Sequence, residues 1–212
     1  MQQFDKVKFR NNMSSATRQI VISLLAVVVA LIISMLVIAA MGVSPTKALG
    51  KMISGALGSK SAIAETLVKM TPLLFTGMSY ALANRCGLTN IGMEGQLFIG
   101  ALTATIAGVY IQGLPMVIHL PLTMIAGFLG GAIWGGIVGV LKVRFGANEI
   151  ITTVMLNTVA TNLVQYMVNG PITEPPGDDA QSSPLLDSAT LPVIIKGTRA
   201  HLGIIIAIVF VI

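Results

Sequence analysis

The chain has 212 residues, of which 54% are hydrophobic and only 10% are charged, with a formal net charge of +5. Soluble globular domains carry about 25% charged residues, so this composition excludes an ordinary soluble domain and indicates an integral membrane protein. The single cysteine, Cys86, excludes an intrachain disulfide and suggests no metal cluster. Aromatic residues do not alternate with lysine and arginine, so the positive charge does not indicate nucleic-acid binding.

A polar, basic tail precedes the first apolar run. In residues 1–19 the basic side chains outnumber the single acid, Asp5, and the positive-inside rule therefore predicts a cytoplasmic tail. The run Ile20–Met41 is longer than the roughly 7–15 apolar residues of a signal peptide and predicts a first membrane span. We expect residues 20–212 to form a transmembrane domain.

A short amphipathic segment follows the first span. Ser44 and Pro45 are typical of an N-cap and a first helical turn, and Ala48–Leu57 carries apolar residues and lysines at helical spacing. This pattern predicts an external helix that lies along the membrane surface.

Asn84–Gln96 is a polar, glycine-broken stretch between the second and third predicted spans, about Leu67–Ala83 and Leu97–Ile111. Ionisable groups beside lipid are costly and mark functional sites by default, so the stretch predicts a broken or re-entrant passage beside a solute path. Counting crossings from a cytoplasmic N-terminus places it toward the cytoplasm. Its candidate substrate-path residues are Asn90, Glu94 and Gln96.

Glycine and proline punctuate the chain after the third span. Gly113–Pro115 and His119–Pro121 predict a short external turn. We interpret His119 as an interfacial loop residue in preference to a proton relay.

Small residues mark one face of the fourth predicted span, Leu122–Leu141. Glycines recur there every four residues and let helix backbones approach closely in lipid, where no hydrophobic force joins helices. The pattern predicts tight helix packing through Gly127, Gly131, Gly135 and Gly139.

The fifth predicted span, Ile150–Val168, carries an uncharged polar stripe and follows a short segment, 142–149, that is predicted to be cytoplasmic. The stripe either joins helices through hydrogen bonds or lines a path for an uncharged polar solute, because amides donate and accept hydrogen bonds. We favour the path and take three of its members as further candidates: Asn157, Thr161 and Gln165.

A long loop and a short apolar run end the chain. Residues 169–201 are rich in proline, serine and aspartate and predict an external loop with a docking role. The run Leu202–Ile212 is shorter than the roughly 20 residues of a span. We therefore expect the chain to end inside a sixth span.

No catalytic pattern appears in the sequence. It has no metal-ligand spacing, no nucleophile elbow and no Walker loop. We expect no enzyme activity, metal or cofactor on this chain.

Two motifs resemble those of the permease subunits of bacterial ABC importers. Gly87–Gln96 reads GLTNIGMEGQ, and Gly146–Asn157 reads GANEIITTVMLN. Together with Asn169–Pro171 and Gln181–Ser182, they resemble most the nucleoside branch of the superfamily that also imports simple sugars and branched-chain amino acids. The resemblance covers residues 60–200.

The resemblance implies an all-α polytopic bundle of roughly ten spans, of which this chain holds about six. It implies nucleoside import by alternating access in the cell membrane. It also implies a cytoplasmic ATPase subunit that binds ATP and Mg²⁺, a second permease subunit and an extracellular solute-binding lipoprotein.

Several alternatives stay open. The solute could be a ribose-type sugar or a branched-chain amino acid. The chain could instead form a channel or an ion-coupled carrier in which Glu94 binds a proton or cation, or a purely structural membrane subunit for which the glycine face suffices.

Overall fold

The computed structural model describes residues 2–177 and 179–211, and for residues 2–16 it describes the backbone alone. Met1, Asp178 and Ile212, which belong to the predicted tail, loop and sixth span, lie outside the described residues, as do the side chains of the basic tail residues before Arg18. The regular secondary structure of the described part is helical, with only two isolated β-bridges besides, which confirms the predicted all-α fold. The helices are α1 (Gln2–Ala40), α2 (Pro45–Leu57), α3 (Lys60–Arg85), α4 (Met93–Tyr110), α5 (Met116–Phe145), α6 (Glu149–Val168) and α7 (Gly203–Val211).

The chain divides into two compact units, Met1–Ile63 and Ala64–Ile212. In the first unit α1 begins at Gln2 and not at the predicted Ile20, so the tail continues into the first apolar run as one helix. The sequence contains neither glycine nor proline between residues 2 and 40, and it therefore carries no helix-stopping signal there. The part Thr17–Ala40 is long and apolar enough to cross a membrane.

The predicted amphipathic helix is present as α2. Pro45 occupies its first turn and Ser44 its N-cap position, where the missing proline N–H removes no helical hydrogen bond. The Ser44 hydroxyl bonds the Thr46 hydroxyl at 3.0 Å and not a backbone N–H. No residue of α2 is buried; its position on a membrane surface stays a prediction.

The second unit is an antiparallel helical bundle in which the helix direction alternates along the chain. We call its two ends the loop end, held together by residues 169–202, and the link end, where residues 86–92 join α3 to α4. The most extensive packing is between α4 and α5, joined by residues 111–115, and α6 packs on α4. Among the described helices, two segments are long and apolar enough to span a membrane: the Thr17–Ala40 part of α1 and the whole of α5.

The predicted turn is present at residues 111–115, but it does not extend to His119, and that part of the prediction is wrong. Helix α5 begins at Met116 and contains both His119 and Pro121, because the His119 backbone N–H already bonds the Pro115 carbonyl at 2.9 Å and a proline near a helix start removes few hydrogen bonds. The His119 side chain is fully buried. The interpretation of His119 as an interfacial loop residue is therefore also wrong.

His119 fastens the long loop to the bundle. Its Nε2 lies 3.1 Å from the Ala107 carbonyl oxygen and its Nδ1 lies 2.7 Å from the Ser188 hydroxyl. Since the carbonyl can only accept, Nε2 carries the hydrogen and donates it, and Nδ1 accepts from Ser188 in the neutral ring. Leu186 N donates to the Gly108 carbonyl at 3.2 Å, so the loop is attached to both α4 and α5.

An exposed ion pair attaches the loop to α3. Arg199 Nε and Nη2 each donate to a carboxylate oxygen of Glu65 at 2.9 Å. This guanidinium holds the pKa of Glu65 below its ordinary value of 4.5. The pair joins the start of α3 to the segment that leads into α7.

We expect Glu65→Gln to lower the melting temperature slightly at pH 7 and to have no effect at low pH. A carboxylate with a depressed folded pKa stabilises the fold above its unfolded pKa, here about 4.5, and this contribution disappears as pH falls through the lower folded value. The effect is small because exposed ion pairs are screened by solvent. Thermal melts of both proteins at pH 7 and well below pH 4.5 measure it.

Glu174→Gln is the control, because that carboxylate accepts a hydrogen bond from Gln181 on the same loop and has no cation bonded to it in the described part of the chain. A difference between wild type and Glu65→Gln that does not change with pH would contradict the linkage.

Candidate functional site

The link begins where α3 ends with a left-handed glycine. Gly87 has φ +76°, and Leu88 N donates to the Ala83 carbonyl at 3.0 Å across it. This is the Schellman arrangement, which satisfies end carbonyls of a helix and reverses the chain. Residues 86–92 then run without helix to Met93, where α4 begins. The predicted break in Asn84–Gln96 is thus a short link at one end of the bundle.

Asn157 of α6 holds both sides of the point where α4 begins. Its Oδ1 accepts from Gly95 N at 2.9 Å, and its Nδ2 donates to the Ile91 carbonyl at 3.0 Å. Within the link, Asn90 Oδ1 accepts from Gly92 N at 2.8 Å. The amide groups of both candidate residues are therefore bonded to backbone, and they order the link.

Gly95 is buried at the meeting point of α4, α5 and α6. A Cβ at this position would lie 2.8 Å from Asn157 Oδ1 and 3.1 Å from Trp134 Nε1, closer than side-chain carbon atoms normally approach. The Trp134 Nε1 atom is buried and has no hydrogen-bond partner among the described residues. The absence of a side chain at Gly95 lets the three helices meet here.

A cavity of about 340 Å³ lies between α3, α4 and α5. We call it the three-helix cavity. Most of its wall is apolar, and the polar side chains in it are uncharged. It is lined by Phe75, Thr76 and Ser79 of α3, Met93, Gln96 and Leu97 of α4, and Gly127, Phe128, Gly131, Ala132 and Gly135 of α5.

Gln96 is the predicted candidate that reaches this cavity. It is half-buried, and its amide lies against α5, where a Cβ on Gly135 would come within 2.9 Å of Nε2. Its backbone carbonyl oxygen lies 3.1 Å from the corresponding position on Gly131. Two of the predicted packing glycines therefore make room for the backbone and side chain of Gln96.

The two remaining predicted packing glycines, Gly127 and Gly139, have different surroundings. A Cβ on Gly127 would lie 3.2 Å from both the Gly100 carbonyl oxygen and the Ala104 Cβ, whereas Gly139 has no neighbour within 4 Å in the described part of the chain. The glycine face therefore contacts α4 along its first three members and leaves α4 at the fourth.

Glu94 lies on a different side of α4 from Gln96. It is exposed and lines a separate groove of about 480 Å³ that also contains Lys69. This groove shares Thr76, Met93 and Leu97 with the three-helix cavity. Two residues apart on a helix correspond to about 200° of rotation, so the two candidates serve different spaces.

The polar stripe on α6 does not share one environment. Thr153 is fully buried, Asn157 and Thr161 are half-buried, and Gln165 is exposed. Thr161 Oγ1 donates to the Asn157 carbonyl at 3.0 Å within the helix. A four-residue repeat drifts around a helix of 3.6 residues per turn, and here it drifts from the α4 contact to the outside of the unit. A role of these residues in a solute path stays a prediction.

Sequence reasoning missed four contributors. Phe75 and Ser79 look like ordinary residues of an apolar span, and their place in the cavity depends on which face of α3 meets α4. Gly95 is one of three glycines in the motif GLTNIGMEGQ, and nothing in the sequence distinguishes it from the other two. Asn148 caps α6 by accepting from Ile150 N at 3.0 Å, and an asparagine just before an apolar helix is a signal that could have found it.

The described residues contain no group of three histidine, cysteine or acidic side chains that could hold a metal ion. The lining of the three-helix cavity contains uncharged hydrogen-bonding groups and aromatic side chains.

Comparison with known proteins assigns the chain to a family. Residues 62–212 match the family described as the branched-chain amino acid transport system permease component. The guanosine ABC transporter permease protein NupP of Bacillus subtilis is 34% identical over 191 residues, which cover 89% of this chain and 55% of that protein. No solved structure matches the chain significantly.

Two further relatives are similar over shorter stretches. The glucose ABC transporter permease protein TsgB13 of Haloferax volcanii is 39% identical over 79% of this chain and 44% of its own length. The nucleoside ABC transporter permease protein NupB of Lactococcus lactis is 34% identical over 74% of this chain and 43% of its own length. The chain thus spans about half the length of the curated relatives it matches.

The family match covers most of the chain, and its members are membrane-embedded transport subunits. The helical bundle, the two helical segments that are long and apolar enough to span a membrane, and the two motifs agree with it. The chain belongs to the branched-chain amino acid transport system permease family.

Proposed function

We propose that the chain is part of the membrane permease subunit of an ATP-driven ABC importer for nucleosides. It would lie in the cell membrane as a multi-pass protein and move solute inward by alternating access. The observation that carries this proposal is the similarity of most of the chain to the guanosine and nucleoside permeases of Bacillus subtilis and Lactococcus lactis.

The three-helix cavity supports the choice of solute. Its aromatic side chains, Phe75 and Phe128, offer flat apolar faces, while Gln96 and Ser79 offer uncharged donors and acceptors. A nucleoside combines a planar heterocycle with hydroxyl groups and carries no charge. The volume of the three-helix cavity, about 340 Å³, falls in the range of small-molecule sites, about 300–1,000 Å³.

The ATP that drives import would be hydrolysed on another chain. A cytoplasmic ATPase subunit would bind ATP and Mg²⁺, a second permease subunit would complete the membrane pathway, and an extracellular lipoprotein would deliver solute. The loop end would face that lipoprotein, because it carries the loop that is predicted to be external. Residues 169–202 are attached there to α3, α4 and α5.

Uptake by cells that lack the gene tests the proposal. We expect deletion to abolish most high-affinity uptake of labelled guanosine and uridine, and to leave glucose, ribose and leucine uptake unchanged. Restoring the gene should restore nucleoside uptake. Depleting ATP while keeping the proton gradient should also stop it, because the import step consumes ATP. Uptake that persists under that condition would favour the ion-coupled carrier.

Sugar import is the second candidate. It is favoured by the 39% identity to the glucose permease of Haloferax volcanii, and the same amide and hydroxyl groups could bind sugar hydroxyls. Loss of glucose or ribose uptake alone in the deletion strain would support this alternative and contradict nucleoside import.

A further inference from the structure

Two polar side chains in the three-helix cavity have no hydrogen-bond partner within the part of the chain that the structure describes. They are Gln96 of α4 and Ser79 of α3. Their neighbour Thr76 differs, because its hydroxyl donates to the Pro72 and Leu73 carbonyls of its own helix at 3.0 and 3.2 Å. Because neither side chain is bonded within the described part of the chain, the Gln96 amide and the Ser79 hydroxyl are available to a solute.

The position of the Gln96 amide is set by α5. A side chain on Gly135 would come within 2.9 Å of Nε2 and 3.1 Å of Cδ, so only a residue without a Cβ lets the amide lie flat against that helix. The Gln96 backbone is also held close to Gly131. The amide is therefore restricted on its α5 side and open on the side of the cavity.

An aromatic ring faces the same space from α3. Phe75 lines the cavity and also contacts Phe210 of α7, with ring centroids 6.4 Å apart and ring planes inclined by 54°. A cavity that contains both an aromatic ring and a restricted amide offers a surface for stacking and a donor–acceptor pair. Planar heterocycles fit that combination, since every nucleobase has a flat π face.

We propose that Gln96 determines substrate specificity by pairing, through its carbonyl oxygen and amide N–H, with the hydrogen-bonding edge of a nucleobase. An amide presents an acceptor and a donor side by side, which matches the adjacent N–H and C=O of uracil and guanine. Ser79 lines the same cavity, and its hydroxyl would bond the sugar part. This inference rests on the proposed nucleoside import and adds which residue reads the base.

A methyl group on the paired ring nitrogen tests the inference directly. 3-Methyluridine and 1-methylguanosine lack the N–H that would donate to the Gln96 carbonyl. We expect the wild-type importer to prefer uridine and guanosine over these analogues by about 10- to 100-fold, the range for losing a two-point hydrogen-bonded pair. Competition against labelled uridine or guanosine uptake in cells measures the ratio.

Gln96→Met keeps the length of the side chain and removes the amide. We expect it to weaken uridine uptake and to bring the preference over the methylated analogue close to unity. Gly135→Ala keeps the amide but displaces it, and should lower the preference in the same direction. A merely structural role for Gln96 would reduce transport of both solutes equally and leave the ratio unchanged.

Two matched variants serve as controls. Gly139→Ala makes the same change on the same helix, where no neighbour lies within 4 Å in the described part. Gln112→Leu removes an exposed amide in residues 111–115, which connect α4 to α5. Both should keep the wild-type ratio, with membrane levels measured for every variant.

The outcomes separate the two proposals. A wild-type importer that transports nucleosides without discriminating against the methylated forms, or a Gln96→Met variant that still discriminates, would overturn the role of Gln96 and leave nucleoside import standing. A wild-type strain that takes up no nucleoside through this system would overturn both.

Discussion

Replacing Asn157 with leucine is expected to lower the melting temperature of the protein by roughly 2–12 °C. The substitution removes the acceptor of Gly95 N and the donor to the Ile91 carbonyl. An unsatisfied buried backbone group costs about 1–3 kcal/mol, and each kcal/mol corresponds to about 2–4 °C in a protein of this size. Gly95 is buried, so its N–H has no alternative partner in water, whereas the more exposed Ile91 carbonyl regains part of its hydration.

Asn162→Leu is the matched control for this prediction. Asn162 lies on the same helix and is exposed, so the same chemical change there should shift the melting temperature by little. Asn157→Asp keeps an acceptor for Gly95 N and loses the donor, and should fall between wild type and Asn157→Leu. Thermal melts of the purified protein in detergent measure all three. Equal melting of Asn157→Leu and Asn162→Leu would show that the two backbone hydrogen bonds do not stabilise the bundle.

Gly100→Val is the second substitution with a large expected effect. A Cβ at Gly100 would lie 2.9 Å from the Gly127 carbonyl oxygen, and a backbone atom cannot move aside as the end of a flexible side chain can. The helices α4 and α5 would have to separate, which typically costs about 1–3 kcal/mol. In lipid, where close packing itself holds helices together, this lost contact should reduce both the melting temperature and the amount of protein in the membrane.

Gly136 provides the comparison for Gly100. It lies on the neighbouring helix with no atom within 4 Å of a built Cβ in the described part of the chain, so Gly136→Val should leave the α4–α5 contact intact. The two alanine variants should change the stability of the protein in opposite directions. Gly136→Ala gains about 0.5–1 kcal/mol from helix propensity, whereas Gly100→Ala loses more through the clash than it gains. Matching melts for the two valine variants would contradict close approach at Gly100.

The positions of two helices, α2 and α6, followed closely from local sequence signals. The start of α2 at Pro45 and the range of α6 within one residue of the prediction arise from capping residues and apolar runs that act over a single turn. The beginning of α5 did not follow, because Pro121 was taken as a stop signal although a proline early in a helix removes few hydrogen bonds. His119 was misread for the same reason.

The site depended on tertiary information that the sequence does not contain. Polarity and depth singled out Glu94, Gln96 and Asn157 alike, but their environments differ because they point in different directions. Asn157 bonds the backbone of α4, Glu94 lies in the groove with Lys69, and Gln96 reaches the three-helix cavity. Which face of a helix meets its neighbour is decided by close contacts such as Gly100 with Gly127, and no periodicity in one chain specifies the partner.

The two hydrogen bonds of Asn157 also bear on the order in which the chain assembles during synthesis. Helices α4 and α5 are neighbours in sequence and joined by five residues, 111–115, so they can pair as a hairpin as soon as both have emerged, at little loop-closure entropy. Gly95 N and the Ile91 carbonyl stay unpaired until α6 arrives more than 60 residues later. The hairpin therefore enters the bilayer with an unfinished helix start, and the insertion of α6 completes it.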